Sequence, residues 1–385
     1  MNEFLIQLLH GLTLGALFAQ VAIGYTMVYG IIKLINFAHS EFYMAGGFAG
    51  LLSLAYLCGP GKPLDTLPGS AQLLLGVLLA GLLVAALAVL TERLAYRPIR
   101  SSGRIAALLT AVGVSLLLQN SFIAVFGNRE TAFPHVLEDA RYPRWRVALD
   151  ELQPGQVSEY LIAYRTPIRD WKGNVLKDAN EKPLGYSHVN LVRAGEAVNA
   201  KNLEQARSSS IENLYAYPAV TVSKKQGVIF SSLLLSSLAL FVLVQHTRVG
   251  RAMRAVSHDF ETASLMGINT SAIVALTFAV GGFLAGMGGV LAGGMFIGTV
   301  APMMGFMLGL KAFVAAVLGG IGSIPGALLG GLALGLVEQM TQHYADRMFF
   351  QGASAYRDAI AFLILIGILL VRPTGLLGRF EGEKV

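Results

Sequence analysis

The sequence predicts an all-α polytopic membrane protein with about eight to nine membrane-embedded helices and a soluble extracytoplasmic insert of β or α/β character. Hydrophobic residues make up 54% of the 385 positions and charged residues only 14%, whereas soluble domains carry about 25% charged residues. Many of the 44 glycines lie inside apolar runs, as expected where membrane helices pack backbone to backbone. One long polar stretch interrupts the apolar runs and defines the insert.

The predicted membrane elements follow the apolar runs of the chain. These runs are 4–30, 37–57, 71–90, 105–126, 227–245, 272–294, 303–318, 326–340 and 359–371. Most of them reach the roughly 20 residues that a helix needs to cross about 30 Å of hydrocarbon. The runs 37–57 and 303–318 are short or broken by glycine, so we predict re-entrant or discontinuous helices there. Glu3 precedes the first run in place of a basic region, which predicts a retained helix and not a cleaved signal peptide.

The polarity of the chain predicts three regions. Residues 1–126 form the N-terminal transmembrane helices, 127–226 the soluble periplasmic insert, and 227–385 the C-terminal transmembrane helices. The insert contains both tryptophans, Trp145 and Trp171. Its segments 170–178 and 185–195 predict strands, with a turn at Gly173 and Asn174, and its segment 201–214 predicts a short helix. A compact module is therefore expected, with an irregular loop as the alternative.

Arginine-rich short loops predict the orientation, because such loops stay on the cytoplasmic side. The two clusters are Arg93, Arg97, Arg100 and Arg104, and Arg248, Arg251 and Arg254. Two apolar runs separate them, so both clusters lie inside when the insert lies outside. If all nine elements cross, the same parity places the tail, with Arg372 and Arg379, in the cytoplasm and the N-terminus outside, whereas an eight-span version would move one end. A net charge of +6 with scattered arginines does not favour nucleic acid as a partner.

The basic stretch RVGRAMRAVSHDFETASLMGI, residues 248–268, interrupts two apolar regions. Drawn as one helix, it has an apolar stripe next to a charged face. The stripe is Val249, Met253, Val256, Phe260 and Ala263, and the charged face is Arg251, Arg254, His258 and Glu261. Gly267 stands in the position of a helix C-cap. A helix lying on lipid headgroups is one interpretation, but the acidic Asp259 and Glu261 favour a protein partner.

Stretch 248–268 and the following ALTFAVGGFLAGMGGVLAG resemble the coupling segment and next helix of ABC importer permeases. The similarity is specifically to the H-type subunit of high-affinity branched-chain amino-acid (LIV) importers. Further similar stretches are GLTLGALFAQVAIGYTMVYGIIKLINFAHSEFYMAGG, ERLAYRPIRSSGRIAALLTAVGVSLLLQNS, GLKAFVAAVLGGIGSIPGALLGG and VRPTGLLGR. The resemblance covers nearly all of 1–127 and 227–385. It departs at Ser40, where the family pattern has glycine, and in the insert, which is longer than the usual external loop.

The resemblance implies a permease subunit whose alternating access is driven by two separate ABC ATPase subunits. The other implied partners are an M-type permease or a second copy of this chain, a periplasmic amino-acid-binding protein and the lipid of a bacterial inner membrane. Arg251, Asp259, Ala263 and Gly267 match the coupling motif; Met253, Val256 and Phe260 join them as predicted ATPase-coupling residues. Because the sequence lacks a G-x-x-x-x-G-K-[ST] loop, ATP and Mg are expected in the partner subunits, and no enzymatic activity or cofactor is expected here.

Polar side chains within apolar runs are candidates for a translocation path, because such groups are costly at membrane depth. They are Asn36, His39, Glu41, Gln119, Asn120 and Lys311. Capping or interfacial anchoring is the alternative for Asn36 and His39, and interhelical hydrogen bonding for Gln119 and Asn120. Lys311 pairs with Glu338 or Glu41, reaches outward to the interface, or meets a substrate carboxylate.

Glycines at small-xxx-small spacing predict close helix packing. They are Gly282, Gly286, Gly322, Gly326 and Gly330. The stretch GIGSIPG lacks the lysine of a phosphate-binding loop, so a tight turn or helix packing is expected there. Broken glycine-rich elements near Gly46 and Gly319 hint at an inverted repeat.

Two other classes of function compete with the importer. An ion-coupled secondary amino-acid transporter explains the spans, but it leaves the basic stretch 248–268 without a role. An enzyme is disfavoured because the adjacent Ser257, His258 and Asp259 point in different directions on a helix, and no metal-ligand spacing occurs. Within the ABC importer class, the substrate could also be another small solute, such as urea or an amide.

Overall fold

The structure is a computed structural model of the chain. It describes residues 2–33, 36–58, 62–64, 66–100, 102–134, 141–142, 145–147, 161–167, 186–192, 199, 214–217, 222–348, 350–372 and 374–378. The chain divides into two compact units. The first comprises Met1–Leu9, Leu57–Leu73 and His135–Val228, and the second comprises His10–Tyr56, Leu74–Pro134 and Ile229–Val385.

Helices dominate the described residues outside the insert. They are α1 (Asn2–Ile32), α2 (His39–Leu57), α3 (Gly69–Thr91), α4 (Arg104–Phe126), α5 (Lys224–His246), α6 (Arg248–His258), α7 (Phe260–Leu265), α8 (Thr270–Leu291), α9 (Met304–Gly319), α10 (Ile324–Met348) and α11 (Arg357–Val371). Helix α3 continues through a π-helical turn, Glu92–Tyr96, into one further turn, Arg97–Ile99, and α8 continues through a π-helical turn, Ala292–Ile297. A 3₁₀ turn, Ala353–Tyr356, precedes α11.

The predicted class of an all-α polytopic membrane protein is confirmed. Among the described residues, 7 helical segments are long and apolar enough to cross a membrane. They are Glu3–Ile32, Gly69–Ile99, Ile105–Phe126, Lys224–His246, Thr270–Ile297, Ile324–Met348 and Ala353–Val371. The two remaining apolar helices are α2 and α9, the elements that the sequence predicts to be re-entrant or discontinuous. With 16 residues, α9 extends only about 24 Å, less than the hydrocarbon thickness.

Short strands account for the rest of the described secondary structure. They are β1 (Thr131–Ala132), β2 (Arg141–Tyr142), β3 (Trp145–Val147), β4 (Leu161–Pro167), β5 (Tyr186–Val192), β6 (Leu214–Tyr217), β7 (Val222–Ser223) and β8 (Thr299–Val300). In the first unit, β2 pairs with β7, and an antiparallel sheet has the order β3-β6-β4-β5. In the second unit, β1 pairs with β8.

The strands that the structure describes within residues 127–226 agree with the β character that the sequence predicts for the insert. Strand β5 lies within the predicted strand at 185–195, and Trp145 lies in β3. The predicted strand at 170–178, its turn at Gly173 and Asn174, Trp171 and the tail residue Arg379 lie outside the described residues. So does the predicted helix at 201–214, except for Leu214, which begins β6.

Glycines bring the helix backbones of the second unit into direct contact. A Cβ atom at Gly46 of α2 would overlap the backbone of Gly286 of α8. A Cβ at Gly15 of α1 would lie 2.7 Å from the Cα of Leu332 in α10. Because lipid provides no hydrophobic force between helices, such close backbone approach is the main source of their association.

The glycines selected from the sequence lie mainly at such contacts. A Cβ at Gly282 would meet Ala88 of α3 at 2.6 Å, and Gly286 also faces Val84 of α3. Gly326 and Gly330 of α10 lie against the backbone of α9. An added Cβ at Gly322 would meet open space, but its φ of +94° requires glycine in the turn between α9 and α10.

Helices α2 and α9 begin close together, about half-way along α4. The hydroxyl of Ser115, in the middle of α4, donates to Glu41 near the start of α2. The ring of Phe48, further along α2, stacks on Phe126 at the end of α4. A Cβ at Gly305, near the start of α9, would lie 2.7 Å from the carbonyl oxygen of Ser40. The start of α2 is therefore buried inside the bundle, whereas the start of α9 packs on it with Met303, Phe306 and Met307 exposed.

We predict that the contact between α2 and α8 does not tolerate a methyl group. Gly46→Ala places Cβ in the backbone of Gly286, and such overpacking costs about 1–3 kcal/mol. The matched control is Gly113→Ala in α4, where an added Cβ meets nothing within 4 Å. Thermal unfolding of the detergent-solubilised proteins should show a lower midpoint for Gly46→Ala alone. Equal midpoints for the two variants would contradict the contact.

Candidate functional site

The basic stretch 248–268, which we term the coupling segment, begins with a capped helix. The side chain of Thr247 accepts a hydrogen bond of 2.9 Å from the backbone N–H of Gly250, as an N-cap does. The guanidinium of Arg254 donates to the carbonyl of Val244, near the end of α5. These two contacts fix the direction in which α6 leaves α5.

Asp259 divides the coupling segment into two helices. Its backbone is extended, with φ −153° and ψ 113°, so α6 ends there and α7 starts. One carboxylate oxygen accepts 2.9 Å hydrogen bonds from the N–H groups of Glu261 and Thr262, and the other accepts from the Thr262 hydroxyl at 2.6 Å. The prediction of a single helix over 248–268 is therefore wrong, because the capping preference of aspartate overrides the apolar periodicity.

Gly267 terminates α7 as the sequence predicts. Its φ of +83° is left-handed, and its N–H donates to the carbonyl of Ser264 while the N–H of Ile268 donates to the carbonyl of Ala263. This pair of hydrogen bonds is a Schellman motif, which favours glycine at that position. Asn269 then caps α8 by accepting from the N–H of Ala272, so only a short joint separates α7 from α8.

The predicted apolar stripe does not form one exposed face. Met253, Val256 and Ala263 are buried in the second unit, where α6 packs against α8. Phe260 is 39% exposed, because the break at Asp259 shifts the helical phase of α7 relative to α6. The most exposed apolar side chains of the segment are instead Leu265 at 87% and Met266 at 79%. Arg251, Asp259 and Gly267 are also exposed.

Arg100 joins the coupling segment to the end of α3. Its guanidinium lies 5.5 Å from the centroid of the Phe260 ring, within the range of a cation–π contact. The same group pairs with the fully buried carboxylate of Glu92 at 2.6 Å. Burial lowers the pKa of Arg100, and the negative charge of Glu92 acts in the opposite direction. Removing this arginine would leave a buried carboxylate without its partner, which is costly.

A second contact continues from α3 to the start of α2. The hydroxyl of Tyr96 donates to Oδ1 of Asn36 at 2.5 Å, and the same oxygen accepts from the N–H of Ala38 at 3.1 Å. Asn36 therefore caps α2, which was the alternative that the sequence left open for this residue. The ring of Tyr96 also contacts Phe278 of α8.

The polar candidates at the start of α2 lie together in the core. Asn36, His39 and Glu41 are each less than 5% exposed. The His39 ring packs edge-on against Tyr25, with centroids 4.6 Å apart. Oε1 of Glu41 accepts hydrogen bonds from Ser115 at 3.1 Å and from Ser40 at 3.5 Å. This cluster unites the starts of α2 and α9 with the middle of α4.

The two candidates in α4 differ from each other. The amide of Gln119 donates to the sulfur of Met303 at 3.0 Å, so it reaches the residue that precedes α9. The amide of Asn120 donates to the carbonyl of Leu116 in its own helix, and its side chain is exposed. Only Gln119 makes the expected contact between elements.

A family model described as "Branched-chain amino acid transport system / permease component" matches residues 7–147 and 188–369 of the chain. The chain belongs to this family. The internal gap in the match, residues 148–187, lies within the insert, where the sequence departs from the family pattern.

Full-length relatives agree with the predicted H-type subunit. The permease is 38% identical over 382 residues to the high-affinity branched-chain amino acid transport system permease protein LivH of Escherichia coli K12, with 99% of this chain and 98% of the relative covered. It is 36% identical over 385 residues to the corresponding BraD protein of Pseudomonas aeruginosa, with 100% and 98% covered.

A shorter match is to a probable branched-chain amino acid transport permease protein of Methanocaldococcus jannaschii, 31% identical over 158 residues, 40% of this chain and 49% of the relative. No solved structure matches the permease. The relatives and the candidate spans together identify a multi-pass inner-membrane protein.

Lys311 of the permease is held in an ion-pair cluster. Its ammonium lies 2.7 Å from Glu338 of α10 and 2.8 Å from Asp358 of α11. The guanidinium of Arg357 lies 3.7 Å from both carboxylates. Of the alternatives considered for Lys311, the pair with Glu338 is therefore the one that forms, and the cluster links α9, α10 and α11.

Several contact residues of the permease are not singled out by its sequence. Tyr96, Ser115 and Asp358 are ordinary polar residues in apolar or mixed surroundings, and their partners are distant in the chain. In the sequence, Arg100 is only one of several arginines in a short loop, and nothing there indicates its contacts with Glu92 and Phe260. The capping pattern of Asp259 followed by Thr262 is a readable signal, which the apolar stripe obscured.

We predict that the fold of α7 depends on the charge state of Asp259. Hydrogen bonds from the Thr262 side chain and then from backbone N–H groups lower the pKa of this carboxyl. Its stabilising contribution is therefore present above the pKa of an unfolded aspartate and is lost as pH falls through the lower folded value. Hydrogen exchange of the peptide 259–267, corrected for intrinsic rates, should show protection at neutral pH that disappears in strong acid.

The matched controls for this measurement are two variants of the same residue. Asp259→Asn keeps an acceptor oxygen but does not titrate, so its protection should be independent of pH. Asp259→Ala should lack protection at every pH. A wild-type profile that is as flat as that of Asp259→Asn would show that the carboxylate is not what caps α7.

Proposed function

We propose that the permease is the transmembrane subunit of an ATP-driven importer for branched-chain amino acids, and that separate ATPase subunits move it through the coupling segment. The relatives named above transport branched-chain amino acids as permease proteins. The observation that carries the coupling role is that one exposed segment is linked by direct contacts to the polar core. Leucine, isoleucine and valine are the proposed substrates.

The exposed side of the coupling segment supplies the contact surface for an ATPase. Leu265, Met266 and Phe260 expose apolar area next to the charged Arg251 and Glu261. Apolar anchors with a charged rim are typical of a protein interface. Met253, Val256 and Ala263, which are buried, then hold the segment on the permease and do not themselves meet the ATPase.

Two routes carry motion from this surface into the membrane. The first is the short joint at Gly267, which leads from α7 directly into α8. The second runs from Phe260 to Arg100 and along the end of α3 to Tyr96, which holds Asn36 at the start of α2. Both routes reach the glycine contact between α2 and α8, so a displacement of α7 acts on both helices.

The proposed translocation path passes the starts of α2 and α9. Discontinuous helices that begin near the midplane are typical of substrate sites in transporters. Asn36, His39 and Glu41 lie at this point, and Gln119 lies next to the residue that precedes α9. Lys311 is assigned to helix packing because its charge is already paired, and the exposed Asn120 is assigned to the surface of α4.

The proposed assembly contains two ABC ATPase subunits, which use ATP and Mg, and a periplasmic amino-acid-binding protein. The second transmembrane subunit is an M-type permease or another copy of this chain. Reconstitution tests the proposal directly. The complex in liposomes should import leucine with ATP and a loaded binding protein, whereas the permease alone should neither hydrolyse ATP nor import leucine along a proton or sodium gradient.

Ion-driven uptake by the permease alone would refute the proposal in favour of a secondary transporter. Import of urea or amides but not of branched-chain amino acids would refute the proposed substrate. Copurification in mild detergent identifies the second transmembrane subunit.

We predict that Phe260→Asp uncouples ATP hydrolysis from uptake. A carboxylate at this position removes the exposed ring and the cation–π contact with Arg100, and leucine imported per ATP hydrolysed should fall at least about tenfold while membrane insertion is retained. Phe260→Trp keeps an aromatic face and is the matched control, expected to couple within about twofold of wild type. Unchanged transport in Phe260→Asp would exclude this residue from coupling.

A further inference from the structure

Glu41 presents an unpartnered carboxylate oxygen in the core of the second unit. The residue is 0% exposed. Its Oε1 atom accepts from Ser115 and Ser40, whereas Oε2 is buried and has no hydrogen-bond partner among the described residues. A buried carboxylate normally requires a counter-charge or several donors. The free oxygen therefore marks a position where a positive group would be stabilised.

The cations of the second unit do not supply that positive group. Lys311, in the neighbouring helix α9, is paired with Glu338 and Asp358. Arg100 is paired with Glu92. Within the residues that the structure describes, no ion pair includes Glu41, so a cationic group that reached this carboxylate would not compete with a resident counter-charge there.

Oε2 lies at the contact between α2 and α9. A Cβ atom added to Gly305 of α9 would lie only 2.8 Å from this oxygen, and Gly309 packs directly on Ser40. Because α9 has no side chain at these two positions, it covers the carboxylate with backbone alone. Separation of the starts of α2 and α9 would uncover Oε2 without the removal of any bulky group.

A small cavity beside the start of α2, separate from the carboxylate of Glu41, has walls that suit an amino acid better than a simple cation. Tyr25, whose hydroxyl hydrogen-bonds with Ser40, lines this cavity with Tyr29, Asn36, Phe313, Ala316 and Ile321. The walls are mostly apolar, as a small aliphatic side chain requires. The amide nitrogen of Asn36 is buried here and has no partner among the described residues, and it is a donor suited to a carboxylate.

We propose that Glu41 receives the α-ammonium group of a zwitterionic amino acid in transit. The proposal deepens the translocation path proposed above and rests on it. Oε2 of Glu41 is buried under α9 in this state, so the site forms when α2 and α9 separate. Glu41 then selects for an ammonium group inside the membrane, independently of the binding protein.

The first experiment measures transport by the full complex in liposomes. Glu41→Gln should lower leucine uptake at least about tenfold, while ATP hydrolysis stays stimulated by the loaded binding protein. Glu41→Asp keeps the charge and should restore part of the uptake. Glu338→Gln, also a buried carboxylate but engaged with Lys311, is the matched control and should keep the ratio of leucine imported to ATP hydrolysed.

The second experiment leaves Glu41 in place and probes the site chemically. The chain has one cysteine, so Cys58→Ser with Ser115→Cys gives a single thiol beside Glu41. During ATP turnover in nanodiscs, a methanethiosulfonate reagent with an ammonium group should label this thiol about tenfold faster than one with a sulfonate group, after normalisation to a free thiol. Glu41→Gln should abolish the preference, and leucine on the binding protein should slow the labelling.

Distinct outcomes refute the inference and the proposed function. Wild-type uptake in Glu41→Gln, or equal loss in Glu41→Gln and Glu41→Asp, would overturn the inference and assign the residue to packing. Absence of a charge preference at Ser115→Cys would also overturn it. So would labelling of this thiol that sodium ions slow as much as leucine on the binding protein does. A charge preference that persists in a complex unable to import branched-chain amino acids would refute the proposed substrate and leave Glu41 as an ammonium site.

Discussion

The backbone contact between α2 and α8 is the constraint on which the rest of the second unit depends. Gly46 and Gly286 bring the two helices closer than any side chain would allow. Gly289 extends this contact to Tyr43 and Gly47, and Gly282 joins α8 to Ala88 of α3. In a bilayer, where apolar side chains gain little by leaving lipid, dispersion between close-packed backbones holds such a group together. Helices α2, α3 and α8 therefore form one tightly packed set.

This packing explains why polar groups are tolerated in the core. The short distance between helices lets Tyr96 reach Asn36, whose side chain accepts from the N–H of Ala38 and whose backbone carbonyl accepts from the N–H of His39 at the start of α2. The pair of Glu92 and Arg100 closes the end of α3. Each of these contacts compensates a group that would otherwise be costly to bury. Glu41, Glu92 and Glu338 each keep one buried carboxylate oxygen without a hydrogen-bond partner, but among the described residues only Glu41 lacks an ion pair as well, and an uncompensated group of this kind is expected at a functional site.

The apolar periodicity and glycine spacing predict most of the membrane architecture. The predicted apolar runs are helices, and the two runs marked as broken are α2 and α9. Gly267 is recognisable as a C-cap because few other residues adopt its backbone conformation. Asp259 was missed because the stripe from Val249 to Ala263 fits a continuous helix, while capping by aspartate is a local preference that periodicity does not register.

Side-chain partners were the least predictable part of the candidate site. Glu338 could be proposed for Lys311 because it lies inside an apolar run, but Asp358 could not, because it stands just before the run 359–371 and not within it. The contacts of Arg100 with Phe260, and of Ser115 with Glu41, join residues far apart in the chain. Such pairings depend on how the helices are arranged in space, and a single sequence does not contain that arrangement.

The joint at Gly267 gives α8 the properties of a lever arm with its pivot at the coupling segment. From Thr270 to Gly286 this arm measures about 24 Å, so a tilt of roughly 5° would carry Gly286 about 2 Å sideways. A shift of that size is comparable to the separation of the α2 and α8 backbones that the absence of a Cβ atom at Gly46 and Gly286 makes possible. Close packing at the far end of the arm thus converts a small angular change into an all-or-none rearrangement.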